Sequence, residues 1–188
     1  KRNMVPLVSF NHFASPVWFA ARGGWTNPEA PALFANYCSK VAAQLADGIA
    51  YAVTFNEPNL LRLLKVLGVP PFVWDMQEKM LAAAGRATQS EHFTGLNAAR
   101  MQDLDVMNPI LIEGHKAARQ AIKAEHTNMD VGCTLAMLDD QSAGPDSVRN
   151  EMRKYNYGDW LKVEETDFIG VQNYEKVVWD KNGHVPTP

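Results

Sequence analysis

The sequence has no long apolar run and no excess of one charge. No segment approaches the roughly 20 apolar residues that span a bilayer, and residues 1–10 lack the apolar stretch and cleavage site of a signal peptide. Eighteen basic and 21 acidic side chains leave a formal net charge of -3, which gives no electrostatic reason to bind nucleic acid or an anionic membrane. We therefore expect a cytoplasmic protein with neither of those partners.

Cysteines and the common nucleotide and metal motifs are also scarce. The only cysteines, Cys38 and Cys133, lie far apart in apolar surroundings, which excludes a disulfide scaffold and a thiolate metal site and predicts two buried thiols. There is no Gly-rich phosphate loop, G-x-S-x-G elbow or H-E-x-x-H motif, and Glu113-Gly114-His115 has no third ligand at a suitable spacing. We therefore expect no cofactor and no metal, and a structural role for His115.

The composition is typical of a packed globular domain. Of the 188 residues, 46% are hydrophobic and 21% are charged, which excludes disorder and allows a substantial core. No internal repeat or low-complexity linker divides the chain. We expect residues 1–188 to form a single domain.

Short apolar runs that favour β-strands alternate with segments of helical periodicity. The predicted strands are residues 5–10, 49–55, 131–138 and 167–171. The predicted helices are residues 27–45, 60–67, 108–125 and 147–160. Asn-Pro begins the first and third helices, Gly68 ends the second and Ser147 caps the fourth. Strands separated by helices favour a parallel α/β sheet.

Residues 69–107 are the least regular part of the sequence. Their charge is mixed and they include Gly85 and Gly95, so we interpret them as an irregular excursion with a candidate helix around 76–84.

Polar residues follow the predicted strands. They are His12, Asn56, Glu57, Asp139, Asp140, Gln172 and Tyr174. In parallel α/β folds the carboxyl ends of the strands surround the ligand site. Amide, imidazole and phenol groups around one strong carboxyl candidate, Glu57, suit a polyhydroxylated ligand and acid catalysis. By themselves, these residues leave an α/β enzyme and a binding domain open as alternatives.

The segment Thr54-Phe55-Asn56-Glu57-Pro58 resembles the T-F/L-N-E-P motif of glycoside hydrolase family 1, the β-glucosidase and β-galactosidase family. Five further stretches resemble family landmarks in the family's order: His12-Phe13 with Pro16, Arg22 to Glu29, Gly68 to Pro71, the helix around His115, and Asp167 to Val171. Together they extend over nearly the whole chain.

The resemblance implies a retaining glycosidase on a TIM-type (β/α)8 barrel. Glu57 would be the general acid that protonates the glycosidic oxygen and later the base that activates water. Asn56 would bind the 2-hydroxyl of the sugar, and His12 would bind another hydroxyl in the same subsite. Tyr174 matches the family tyrosine that contacts the nucleophile, and Gln172 stands where the family commonly has asparagine. The expected ligand is a β-glucoside or a related small saccharide.

Two family motifs are absent from these 188 residues. They are an earlier strand motif that carries glutamine and a later T-E-N-G motif whose glutamate is the nucleophile. The resemblance therefore covers about the third to sixth βα units, half a barrel with four parallel strands, and the nucleophile is not contained in this chain. Nothing in the family pattern makes Asp139 or Asp140 the nucleophile.

Two hypotheses remain open at this point. The first is a β-glucosidase-type hydrolase whose chemistry is completed by residues outside the chain. The second is a catalytically incomplete half-barrel that acts as a sugar-binding or self-associating module. Because a half-barrel exposes sheet edges, we expect a homo-oligomer or a complementary barrel segment as partner.

Overall fold

The computed structural model describes residues 3–186 and contains one five-stranded sheet. The strands are β1 (Leu7–Asn11), β2 (Tyr51–Asn56), β3 (Asp130–Ser142), β4 (Ile169–Trp179) and β5 (His184–Val185). They lie in the order β1-β2-β3-β4-β5, the first four are parallel, and β5 pairs antiparallel with β4. The predicted parallel α/β sheet is confirmed, and β1 forms one of its open edges.

Within residues 3–186, six α-helices accompany the sheet. They are α1 (Val17–Ala21), α2 (Ala30–Leu45), α3 (Leu60–Leu67), α4 (Pro71–Thr88), α5 (Leu104–Glu125) and α6 (Arg149–Arg153), and α6 continues into a π-helical turn, Lys154–Gly158. The main core lies between the sheet and helices α2 and α5, where Phe34, Leu111 and Val131 are buried. Trp25 fills this core with its ring edge-on to the rings of Phe34 and Phe55.

The sequence signals located α3 correctly and α2 approximately. Helix α3 covers the predicted residues 60–67, and Gly68 ends it in the left-handed conformation at a φ of 73°. Helix α2 begins at Ala30 rather than Asn27. The Asn27 side chain accepts a hydrogen bond from the Glu29 N–H at 2.9 Å, so it stabilises a turn before the helix.

The predicted start of α5 at Asn108-Pro109 is wrong. The helix begins four residues earlier, at Leu104, after a reciprocal capping arrangement between Arg100 and Asp103. Asn108 is buried, and its Oδ1 accepts a hydrogen bond from the indole N–H of Trp160 at 3.1 Å. Pro109 lies inside the helix, near enough to its start that few intrahelical bonds precede it.

The candidate helix around 76–84 is confirmed, but the interpretation of the rest of 69–107 as irregular is wrong for the flanking parts of residues 71–88. Residues 71–88 form α4, an 18-residue helix with proline at its first position. Leu81 and Gly85 are its only fully buried residues, so its sequence lacks the apolar stripe that would have predicted the whole helix. Residues 89–100 contain no helix or strand.

Strands β3 and β4 extend well beyond their predicted ends. After a register shift between Met137 and Asp139, the two strands remain paired from Asp139 opposite Lys176 to Ser142 opposite Trp179. Asp139, Asp140, Gln172 and Tyr174 therefore lie within strands and not beyond their ends. The predicted helix over 147–160 is divided between α6 and the π-helical turn. The predicted cap at Ser147 is wrong, because Val148 is the N-cap, although the Ser147 hydroxyl accepts a hydrogen bond from the Arg149 N–H at 3.2 Å.

Both cysteines are buried in the core, as predicted, and they are not bonded to each other. Burial raises the pKa of Cys38 and raises that of Cys133 to about 12, so both thiols stay protonated. Within residues 3–186, no helix combines the length and apolarity needed to cross a membrane.

Candidate functional site

Glu57 lies immediately after β2, in an unusual backbone conformation. Its φ is 49°, in the left-handed region that residues other than glycine rarely adopt. The Glu57 N–H donates to the carbonyl of Thr134 on β3 at 2.8 Å, and the residue is only 5% exposed. Such a conformation costs energy and persists where neighbouring groups enforce it, which is common in functional sites.

The Glu57 carboxyl is paired with a phenol from β4. Tyr174 Oη lies 2.5 Å from Glu57 Oε1 and 2.7 Å from Gln172 Oε1. One hydroxyl proton serves two acceptors, so Tyr174 donates to one of them or shares its proton between both. The hydrogen bond to Glu57, assisted by burial and by the negative charge of Glu57, raises the pKa of Tyr174 above its ordinary value.

Asn56 is at the centre of the site. Its Oδ1 accepts from Gln172 Nε2 at 2.5 Å and from the Thr134 hydroxyl at 3.1 Å. Its Nδ2 lies 3.2 Å from Nε2 of His12. Since Oδ1 is engaged by two donors, Nδ2 must donate to His12, which then accepts at Nε2 and carries its proton on Nδ1. One N–H of Asn56 stays available to a ligand.

The structure therefore brings together five of the seven strand-end residues that the sequence singled out, the five that the family resemblance assigned to the site. His12, Asn56, Gln172, Tyr174 and Glu57 follow one another in a continuous series of hydrogen bonds across β1, β2 and β4. Gln172, which stands in the family's asparagine position, reaches both Asn56 and the Thr134 hydroxyl, the latter at 3.0 Å. The resemblance assigns Tyr174 to a nucleophile, whereas here its contact is with Glu57.

Sequence reasoning missed Thr134. Its hydroxyl connects Asn56 with Gln172, and its carbonyl holds the Glu57 backbone. The available signal was a single hydroxyl side chain within the otherwise apolar run from Val131 to Leu138.

Asp139 and Asp140 have no contact with this network. Asp139 accepts a hydrogen bond from Gln141 at the surface. Asp140 accepts from the indole N–H of Trp179 at 2.7 Å and from the Tyr157 hydroxyl at 2.9 Å. The contacts of Asp140 connect β3 to the π-helical turn and to β4, whereas the contact of Asp139 lies within β3.

His115 lies in the core, as expected, and not in the site. It is fully buried, its Nδ1 is 2.7 Å from the Thr54 hydroxyl, and burial lowers its pKa to about 4. Across the part of the chain that the structure describes, no three His, Cys, Asp or Glu side chains converge as a metal site would require.

The arrangement provides one buried carboxyl with a phenol on one of its oxygens, next to amide and imidazole groups with free donors. A carboxyl whose Oε1 is engaged by Tyr174 can present a proton on Oε2. Asn56 and His12 can donate hydrogen bonds to hydroxyl groups of a ligand bound beside it.

Comparison with known sequences identifies a single family. The sequence model of Glycosyl hydrolase family 1 matches residues 1–95. Myrosinase 1 of Brevicoryne brassicae is 33% identical over 58 residues, which cover 31% of this chain and 12% of that protein. A beta-galactosidase of Pyrococcus woesei is 32% identical over 92 residues, covering 40% of this chain and 18% of that protein.

Comparison with solved structures covers almost the whole chain. The apo structure of beta-glucosidase 1317 superposes with a TM-score of 0.91 at 32% identity, and beta-glycosidase BGL167 with 0.85 at 35%. Each comparison covers 98% of this chain and 45% of the other. The chain thus spans less than half the length of these relatives, and its open parallel sheet corresponds to part of their TIM-type barrel.

Proposed function

Because the chain belongs to glycosyl hydrolase family 1, we propose that it hydrolyses β-glycosidic bonds with retention, with Glu57 as the general acid and base. The observation that carries this proposal is the position of Glu57, a buried carboxyl that meets Tyr174 and adjoins the amides of Asn56 and Gln172. The proposed substrate is a β-glucoside or a related small saccharide.

In the first step, Glu57 protonates the glycosidic oxygen as the bond to the sugar breaks. Tyr174 donates to Oε1, which leaves Oε2 to carry the transferred proton. After the aglycone leaves, the Glu57 carboxylate accepts a proton from the attacking water, so the same group serves as acid and then as base.

Asn56 and His12 orient the sugar in this proposal. The unused N–H of Asn56 donates to the 2-hydroxyl, a contact that strengthens as the oxocarbenium-like transition state develops. The Nδ1–H of His12 donates to another hydroxyl of the same ring. Gln172 holds the amide of Asn56 in the required orientation through its hydrogen bond to Oδ1.

Retention also requires a second carboxyl about 5 Å from the first, which acts as nucleophile. Among residues 3–186, the hydrogen-bonding partner of the Glu57 side chain is Tyr174, and no other carboxylate joins the network. We propose that the nucleophile is supplied by residues outside this chain.

The test compares Glu57→Gln with the unmodified sequence on two β-glucosides, each protein being combined with the segment that supplies the nucleophile. We expect hydrolysis of an alkyl β-glucoside to fall by about 10²- to 10⁴-fold, as is typical when a general acid is removed. Hydrolysis of a nitrophenyl β-glucoside should fall less, because its leaving group departs without protonation. Glu113→Gln, which changes an exposed carboxyl on α5, is the control and should leave both rates unchanged.

The compared quantity is kcat/KM, which reports the steps through departure of the aglycone. Equal losses of kcat/KM on the two substrates would mean that Glu57 is structural, and unchanged values would exclude Glu57 as the acid. The anomer released first separates retention from inversion.

A second candidate function is saccharide binding or self-association without turnover. It is favoured by an apolar cavity of about 210 Å³ beside the open edge strand β1, bordered by Trp18 and Phe34. Three buried polar atoms at this cavity, Asn11 Oδ1, Ser15 Oγ and Trp25 Nε1, have no hydrogen-bond partner among residues 3–186, as expected of a surface that another segment covers. Calorimetric saccharide binding by a chain without turnover would support this candidate, whereas absence of both binding and association would exclude it.

A further inference from the structure

Two residues beyond Glu57, the side chain of Asn59 makes the hydrogen bonds to β3 that the backbone of a paired strand would otherwise make. Asn59 is fully buried. Its Oδ1 accepts from the N–H of Ala136 at 3.0 Å, and its Nδ2 donates to the carbonyl of the same residue at 2.8 Å. The Glu57 N–H bonds to Thr134, two residues earlier on β3. Residues 57 and 59 are thus attached to alternate residues of one strand.

This attachment lies where the regular pairing of β2 with β3 is disturbed. The register between these strands shifts between Val53 and Asn56, and β2 ends at Asn56. Beyond that point, the backbone N–H of Glu57 and the side chain of Asn59 continue the connection to β3. The left-handed residue Glu57 is therefore held on its C-terminal side by an amide side chain.

Asn59 is fixed in turn by the π-helical turn Lys154–Gly158. The amide group of Asn59 donates its second N–H to Oδ1 of Asn156, with Nδ2 and Oδ1 2.8 Å apart. Asn156 is 3% exposed. The same turn is anchored on both sides, since Tyr155 accepts a hydrogen bond from Lys65 of α3 at 2.8 Å and Tyr157 donates to Asp140 of β3. Single π-helical turns occur frequently at functional sites.

We propose that Asn59, held by Asn156, is a positioning residue that fixes the Glu57 carboxyl against Tyr174. The proposal rests on the proposed role of Glu57 as acid and base. A left-handed non-glycine backbone relaxes when its restraints are removed, and rotation at residue 57 would move the carboxyl away from Tyr174. A displacement of about 1 Å at a reacting group can reduce a rate about 10²-fold.

The test measures the contact between Glu57 and Tyr174 without requiring turnover. The chain is labelled with ¹³C at the tyrosine ring carbon that bears the hydroxyl, the Tyr174 resonance is assigned with Tyr174→Phe, and its titration is followed. In Glu57→Gln the Tyr174 pKa should fall, because the neighbouring negative charge is gone. In Asn59→Ala we expect it to fall toward the Glu57→Gln value.

The matched control is Asn108→Ala, which removes another buried asparagine, hydrogen-bonded to Trp160 and Asp159 and not to residues 57–59. It should reduce stability while leaving the Tyr174 pKa at the unmodified value. If folded Asn59→Ala has the same Tyr174 pKa as the unmodified chain, the proposal is overturned. An equal shift in Asn108→Ala would also overturn it, because loss of stability alone would then explain the effect.

If Asn59→Ala does not fold, two substitutions of Asn156 decide the question. Asn156→Leu removes the acceptor for Asn59 and should lower the Tyr174 pKa, whereas Asn156→Asp keeps an acceptor oxygen and should restore it. Equal pKa values of Tyr174 in these two variants would overturn the proposal. Hydrolysis of alkyl β-glucosides is measured separately, so failure of the proposed function and failure of the Asn59 proposal are distinguishable.

Discussion

Glu57 is held by groups that come from two other strands. Thr134 of β3 fixes the backbone of Glu57, and Tyr174 of β4 fixes one oxygen of its side chain. The strand-end motif predicted the identity of Glu57 and Asn56, because the relevant letters are adjacent in the sequence. The motif could not predict Thr134, which becomes part of the site only when β3 pairs beside β2.

Another single residue, the buried His115, makes the free energy of unfolding depend on pH. Burial lowers its folded pKa to about 4 from an ordinary value of 6.5, so acid protonates His115 in the unfolded chain first. The stability contributed by neutral His115 is therefore complete above about pH 6.5 and is lost as the pH falls to about 4. We expect this loss to be about 2 to 3 kcal/mol.

The measurement is urea unfolding of the chain and of His115→Gln between pH 7 and pH 4. The variant has no titrating group at this position, so its stability should decrease less over this range. Parallel pH dependences in the two proteins would contradict the buried, neutral state of His115.

Among the elements, the pairing of β3 with β4 depends on a residue without a side chain. A Cβ on Gly132 would lie 2.3 Å from the carbonyl oxygen of Phe168, at the point where β4 begins. That oxygen belongs to backbone next to the paired residues Cys133 and Ile169, so it cannot move without disturbing the sheet. Since the site draws Thr134 from β3 and Tyr174 from β4, this pairing also sets its geometry.

Gly132→Ala should therefore lower the free energy of unfolding by roughly 2 to 4 kcal/mol, within the range of overpacked and strained core substitutions. Gly48→Ala is the matched control, because no atom lies within 4 Å of a Cβ at that position, and it should change stability by less than about 1 kcal/mol. Both are measured by urea unfolding. A Gly132→Ala protein as stable as Gly48→Ala would show that the β3–β4 approach is looser than described.

For the molecule as a whole, the feature that favours association between copies is the uncovered edge at β1. Met4, Val5, Leu7, Val17 and Trp18 on or beside this strand are all more than half exposed, and β1 pairs only with β2 among the described strands. Exposed apolar edges of this kind favour association. On its own, we expect the chain to associate through this edge with a second copy.

Light scattering over a range of concentrations tests this expectation. Trp18→Lys should shift the chain toward the monomer, because it places a charge within the apolar edge surface. Met76→Lys is the control, since Met76 is also more than half exposed but lies on α4. A chain that is monomeric at all concentrations, or that responds equally to both substitutions, would contradict association through the β1 edge.

The sequence by itself determined the family resemblance and the alternation of strands and helices, and it predicted five residues of the proposed site, because these are encoded in local runs and motifs of a few residues. Only the tertiary structure decided that Tyr174 meets Glu57, since 117 residues separate them in the chain. It also decided the full lengths of β3 and β4 and of the helix over 71–88, where few side chains are buried. These features depend on pairing and packing between distant segments, and such contacts leave no periodic signal in the sequence.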